Sequence, residues 1–205
     1  MSEAEPRPPR FPTTRLWLVC TGELEDASFL PDFTGHADPA LSEAGRRQAE
    51  GIGRELAAMR ETGTMPGPEV AALYASPLAA AQTTAQVLAG SLGLAGIETS
   101  PALATVMPET LPPGEAGLET LAMIQEYAWS TVELLRELHP PDVSLVLVSH
   151  ELPVRALICR ALSIPLAEAD RFQVKAGSLS AIEFRGPRTV LSLLNDVCHP
   201  ELGPV

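Results

Sequence analysis

The sequence predicts an α/β fold: three αβα layers around a mostly parallel central sheet, with an antiparallel element at one edge. Three observations predict it. Short apolar runs alternate with longer segments of helical periodicity, which implies parallel strands joined by crossover helices. The run at 143–149, Val-Ser-Leu-Val-Leu-Val-Ser, is too apolar for an edge strand. The last two apolar runs face each other across the turn Arg185, Gly186 and Pro187, which implies a closing antiparallel pair.

Each element follows from its own residues. Residues 1–14 hold four prolines and form a proline-rich tail. Residues 15–205 form a single domain. The first strand is 15–20, short, apolar and followed closely by Gly22. A helix spans 41–59, with Ser42 as its N-cap and Ala49, Ile52, Leu56 and Met59 on one stripe. A second strand, 70–75, leads into an alanine-rich helix over 77–89 with Pro77 in its first turn. A longer amphipathic helix covers 118–138, with Leu118, Leu121, Ala128, Val132, Leu135 and Leu138 facing inward. After the 143–149 strand comes a helix over 152–162. Strands at 179–184 and 189–194 close the chain. In such sheets ligands bind beyond the carboxyl ends of the strands, just after Val19, Ala75 and Ser149.

Composition narrows the function classes. The 205 residues are 45% hydrophobic and 20% charged, ordinary for one globular domain. A net charge of −12 argues against nucleic acid and against an anionic membrane surface. Three cysteines, Cys20, Cys159 and Cys198, make no disulfide framework or CxxC pair. No metal and no cofactor are expected. His36 with Asp38, and Cys198 with His199, lack a third ligand at suitable spacing. Gly51, Ile52 and Gly53 lie inside a helical pattern, so they form no dinucleotide fingerprint. No Gly-x-Ser-x-Gly is present. With no signal peptide or membrane-length stretch, the cytoplasm is the expected location. Arg7, Arg10 and Arg15 make the tail locally basic on an acidic protein.

Five segments carry a resemblance. Leu16 to Glu23, reading Leu-Trp-Leu-Val-Cys-Thr-Gly-Glu, resembles a strand ending in Arg-His-Gly-Glu. Residues 38–49 are similar to a helix start of the form Asp-x-Pro-Leu-Thr-x-x-Gly-x-x-Gln-Ala, with one position shuffled. Tyr74, Ala75, Ser76, Pro77 and Leu78, then Thr84 and Ala85, resemble Ser-Ser-Pro-Leu-x-Arg-Ala-x-Gln-Thr-Ala. Residues 146–150 with Val154, Arg155, Ala156 and Leu157 resemble Val-Val-Ser-His-Gly-Gly-x-Ile-Arg-Ala-Leu. Residues 194–199 resemble a closing Leu-Asn-Asp-x-x-His. In register across most of the chain, these resemble the histidine phosphatase superfamily and imply its phosphoglycerate-mutase-like fold.

The resemblance also implies a chemistry. In the family an unprotonated histidine attacks phosphorus, two arginines and a second histidine hold the phosphate oxygens, and a carboxylic acid protonates the leaving group. Here the first arginine falls on Cys20 and the nucleophile on Thr21. The second arginine falls on Ala80, and the acid on Thr105 or on a displaced Glu109. His150 matches, followed by Glu151 where the family has a small residue. Losing a covalent nucleophile costs on the order of 10⁶ in rate. Losing one oxyanion donor costs about 3 kcal/mol.

Each residue has a second reading. Thr21 is an alternative nucleophile or a small polar residue filling vacated space. Cys20 is a reactive thiolate or a small hydrophobe at a strand end, and it starts no Cys-x₅-Arg loop, since Asp26 ends that spacing. His150 either binds an anion before a helix N-terminus or is bonded to neighbouring hydroxyls and backbone.

The expectation drawn from these departures is a catalytically inactive member. It would act as a binding, regulatory or structural subunit, with a protein partner or self-association and no phosphorylated ligand. Thr21, Gly22, Glu23, His150 and Glu151 would line its vestigial pocket. The alternative is a phosphomonoesterase or other hydrolase with altered chemistry, using His150 with Thr21, Cys20 or Glu109. A third possibility is a phosphatase completed by groups from a partner chain.

Overall fold

The computed structural model describes residues 12–25, 38–62, 70–105 and 114–197. Six strands form one sheet: β1 (Thr13–Cys20), β2 (Val70–Ala75), β3 (Glu98–Thr99), β4 (Ser144–Ser149), β5 (Leu179–Arg185) and β6 (Arg188–Asp196). Their order is β3-β2-β4-β1-β5-β6. The first four in that order run parallel, and β5 turns antiparallel against both β1 and β6. Four helices cover the sheet: α1 (Glu43–Glu61), α2 (Ala79–Leu92), α3 (Glu115–Leu138) and α4 (Glu151–Ala161).

Strand periodicity splits the interior into two cores. Leu16, Leu18, Leu145 and Leu147 pack with Trp129, Val132 and Leu135 of α3 and Val154, Leu157 and Ile158 of α4. Their neighbours Trp17, Val19, Val146 and Val148 pack with Ile52 and Leu56 of α1 and Ala81, Ala85 and Leu88 of α2. Successive side chains of β1 and β4 therefore serve opposite faces, which is why both strands read as continuous apolar runs.

Ser42 caps α1 by accepting the Gly45 amide at 3.0 Å. α2 begins two residues later than its proline suggests, where the Asp38 carboxylate accepts the Ala79 amide at 2.8 Å. Four expectations are corrected. Strand β3 was not foreseen, being only two residues long and exposed. Leu118 and Leu138 are exposed rather than inward. β1 starts at Thr13, because Thr13 and Thr14 extend the ladder with Arg185 and Phe184. Arg15 is no surface cation: it is buried and donates to Glu183 from Nε at 3.1 Å and also from Nη2, while Arg185 closes on the same carboxylate.

Among the described residues, no helix is long and apolar enough to cross a membrane, and no three His, Cys, Asp or Glu side chains gather as a metal site. The tail through residue 11 with Arg7 and Arg10, and Asp26, His36, Glu109, Cys198 and His199, lie outside the described residues.

Candidate active site

β1 and β4 are adjacent and parallel, with Cys20 opposite Ser149. Their carboxyl ends therefore deliver Thr21 and His150 to the same place. A cleft of about 690 Å³ opens there. Its polar or ionisable lining is Cys20, Thr21, Thr105, His150, Glu151, Arg155 and Asp170. Leu118, Leu121, Leu152, Leu166, Ala167 and Ala169 form most of its apolar wall. Chain segments far apart in sequence thus meet around the residues the sequence singled out.

The backbone fixes Thr21. Its amide donates to the Ser149 carbonyl at 2.9 Å, and its carbonyl accepts the Gly177 amide at 2.8 Å. Gly22 follows against the start of α1: a Cβ there would fall 2.3 Å from the Gly45 carbonyl oxygen. Two glycines let the β1 loop cross α1 in contact, and a side chain at either would force the two backbones apart.

His150 is the N-cap residue of α4, and its Nε2 lies 3.0 Å from Ser76 Oγ. Burial pushes the imidazole down to about 4, against an upward pull from the Asp38 carboxylate. The ring is therefore neutral at ordinary pH. The amides of Glu151 and Leu152 open α4 and have no carbonyl within the helix to bind, the arrangement that favours an anion.

Arg155, one turn further along α4, brings a cation to the cleft. Its Nη2 donates to Glu151 Oε1 at 2.8 Å and its Nη1 to the Ala169 carbonyl at 3.2 Å. Its Nε is enclosed without a partner among the described residues. Cys20 is no nucleophile here. Burial, and then the Glu151 carboxylate, push its thiol up to about 12, while Arg155 pulls it down.

Of the predicted site residues, Cys20, Thr21, Gly22, Thr105, His150 and Glu151 come together in the cleft. Glu23 does not: its amide and carboxylate are turned to the Gln48 side chain at 2.8 and 3.4 Å. Ala80 is buried in the first turn of α2, away from the described lining. Sequence reasoning missed Ser76, Asp38, Asp170 and Arg155 as site residues. For Arg155 a signal was present: Glu151 and Arg155 stand four apart at the start of a helix following the matched histidine, so they share one face.

A mixed sheet of this order, with a histidine and a helix N-terminus at the ends of its central strands, defines a phosphoglycerate-mutase-like α/β protein. The chain belongs to the histidine phosphatase superfamily (branch 1), whose family model matches residues 16–107 and 101–197. It is 28% identical over 190 residues to phosphoserine phosphatase 1 of Hydrogenobacter thermophilus, covering 82% of this chain and 85% of that one. Among solved structures it is similar to YhfR of Bacillus stearothermophilus, with a TM-score of 0.70, 19% identity, and 91% and 98% of the two chains covered. It is also similar to a phosphoserine phosphatase mutant from Entamoeba histolytica in complex with phosphoserine, with a TM-score of 0.66, 20% identity, and 91% and 98% covered. At these identities the solved structures speak for the fold.

The sequence-based expectation of an inactive binding subunit is corrected here. So is the expectation of a protein partner or self-association in place of a phosphorylated ligand. Over most of its length the chain matches a relative named as a phosphatase. The expectation rested on departures at single motif positions, whereas the cleft that holds His150 also carries the Arg155 cation and the N-terminus of α4.

Proposed function

We propose that this protein is a phosphomonoesterase whose chemistry runs through His150. The observation that carries this reading is His150 itself: a histidine held neutral at the start of α4, inside the cleft at the ends of the two central strands. A neutral imidazole can accept a proton at pH 7, and a protonated one cannot. The similarity to phosphoserine phosphatase 1 supports phosphate monoesters of small organic alcohols as the substrate class, with phosphoserine the first to test.

On this reading Thr21 occupies the place of the family's phosphate-accepting histidine, so the route differs from the family's. Water adds to phosphorus as His150 takes its proton. The ester oxygen leaves and is protonated from solvent through the open side of the cleft. The first-turn amides of α4 face the phosphoryl oxygens and stabilise the charge that builds on them. Thr21 fills the floor with a hydroxyl that adds a hydrogen bond without covalent attack, since a threonine needs an adjacent base to become a nucleophile.

The test is turnover of a panel of phosphate monoesters, phosphoserine and p-nitrophenyl phosphate included, by the wild type and His150→Ala. The expected result is hydrolysis that falls by about 10²–10⁴ in kcat on substitution, the range for a general base. A panel with no turnover, or turnover that His150→Ala leaves intact, overturns the reading. Acid quench of wild type with labelled substrate should leave no phosphate on the protein. A phosphorylated enzyme would replace the water route with a covalent one.

A further inference from the structure

The family resemblance leaves the phosphoryl group without the two arginines that ordinarily bind it, one falling on Cys20 and the other on Ala80. A dianion in a partly enclosed cleft needs compensating charge. Among the described lining residues, Arg155 is the one that carries a positive charge. We propose that Arg155 is the phosphate clamp of this site, released from Glu151 when a phosphate monoester enters. This rests on the phosphatase reading of the same cleft.

The geometry of the guanidinium supports the exchange. Nε and Nη2 form one edge of the group, the edge that grips two oxygens of a carboxylate or phosphate side by side. In the free protein that edge is half used. Nη2 donates to Glu151 at 2.8 Å, and Nε, enclosed, has no partner among the described residues. The opposite corner is anchored, since Nη1 donates to the Ala169 carbonyl at 3.2 Å. Arg155 is thus oriented by a backbone contact, and the Nε–Nη2 edge becomes available to an oxyanion once Glu151 gives way.

Glu151 is suited to give way. Its side chain is 59% exposed, so its carboxylate can turn to water when displaced. While it holds Arg155 it supplies only one of the two oxygens the edge can bind. A phosphate supplies both and carries nearly twice the charge. Arg155 also acts electrostatically on the Cys20 thiol, so its charge reaches the end of β1, where the family keeps its own arginine.

The experiment compares wild type, Arg155→Met, Arg155→Lys and Glu151→Gln. It reads orthophosphate affinity by calorimetry and steady-state kinetics on p-nitrophenyl phosphate, with circular dichroism to confirm folding. Arg155→Met should weaken orthophosphate and lower kcat by about 10²–10³, the effect of losing one oxyanion donor. Arg155→Lys should recover less than a tenth of the lost rate, because an ammonium cannot present a two-point edge. Glu151→Gln should bind orthophosphate several-fold tighter, having removed the competitor. Unchanged phosphate affinity in folded Arg155→Met, with wild-type turnover intact, overturns the clamp and leaves the phosphatase reading standing. Weaker phosphate binding by Glu151→Gln overturns the exchange, since Glu151 would then be helping the anion. A wild type that neither binds orthophosphate nor hydrolyses any ester removes both.

Discussion

His150 is a histidine whose surroundings decide its charge. Enclosure beside Ser76 pushes its imidazole from the ordinary 6.5 to about 4, more than the Asp38 carboxylate can offset. The unfolded chain takes up that proton near 6.5 and the folded protein only near 4, so protonation favours unfolding. The stability contributed by the neutral ring is fully present above 6.5 and is lost as pH falls from 6.5 toward 4, on the order of 3 kcal/mol. Urea unfolding across that interval should show wild type losing more stability than His150→Gln, and the ring's NMR signal should titrate about 2 units below a free histidine. Parallel curves for the two proteins, or a ring midpoint near 6.5, would place the imidazole in contact with water instead. If the phosphatase proposal holds, the same shift keeps the base neutral down to about 4, so activity should persist through mildly acidic solution, measurable as a pH–rate profile whose acid limb lies below 6.5.

The elements that carry His150 were largely legible, because they obey local rules. β4 announces itself by six apolar or small residues in a row, and α1 by its serine cap and stripe. What the sequence did not reveal is what depends on pairing between distant segments. Arg15 opens the strand that the sequence predicts, but its partner is not visible there: it lies in β1 opposite Glu183 of β5, and only that register buries the two together. Burial raises the cost of the Glu183 carboxylate, while hydrogen bonds from Arg15, Arg185 and Ser192 bring its pKa below the ordinary value. Removing one partner leaves a buried charge underpaired. Arg15→Met should therefore cost about 3–5 kcal/mol in urea unfolding, while Arg15→Met with Glu183→Met should recover much of it. A double variant as unstable as the single one would assign the loss to packing against Trp17, over whose ring the guanidinium sits at 5.2 Å.

For the whole molecule, the cleft is the place where segments from Cys20 to Ala176 are joined. β1 brings Thr21, α4 brings His150 and Arg155, α3 brings Leu118 and Leu121, and the 3₁₀ helix Leu166–Arg171 brings Ala169 and Asp170. Motif matching located this site because its backbone positions are fixed by adjacent parallel strands. It did not show that Arg155 and Asp170 border the same cleft, because that depends on how α4 and the 3₁₀ helix pack beyond the strand ends. A ligand bound among these elements ties together parts of the chain that separate on unfolding. Orthophosphate at about 100 times its dissociation constant should therefore add roughly 2.7 kcal/mol of stability. For a chain of this size that corresponds to a Tm rise of about 5–10 °C. Thermal unfolding of wild type across a phosphate titration, with sodium chloride at matched ionic strength as control, measures it. The rise should shrink in Arg155→Met, in proportion to the affinity lost. An equal rise in chloride would mean that screening of the −12 net charge, and not occupancy of the cleft, stabilises the fold.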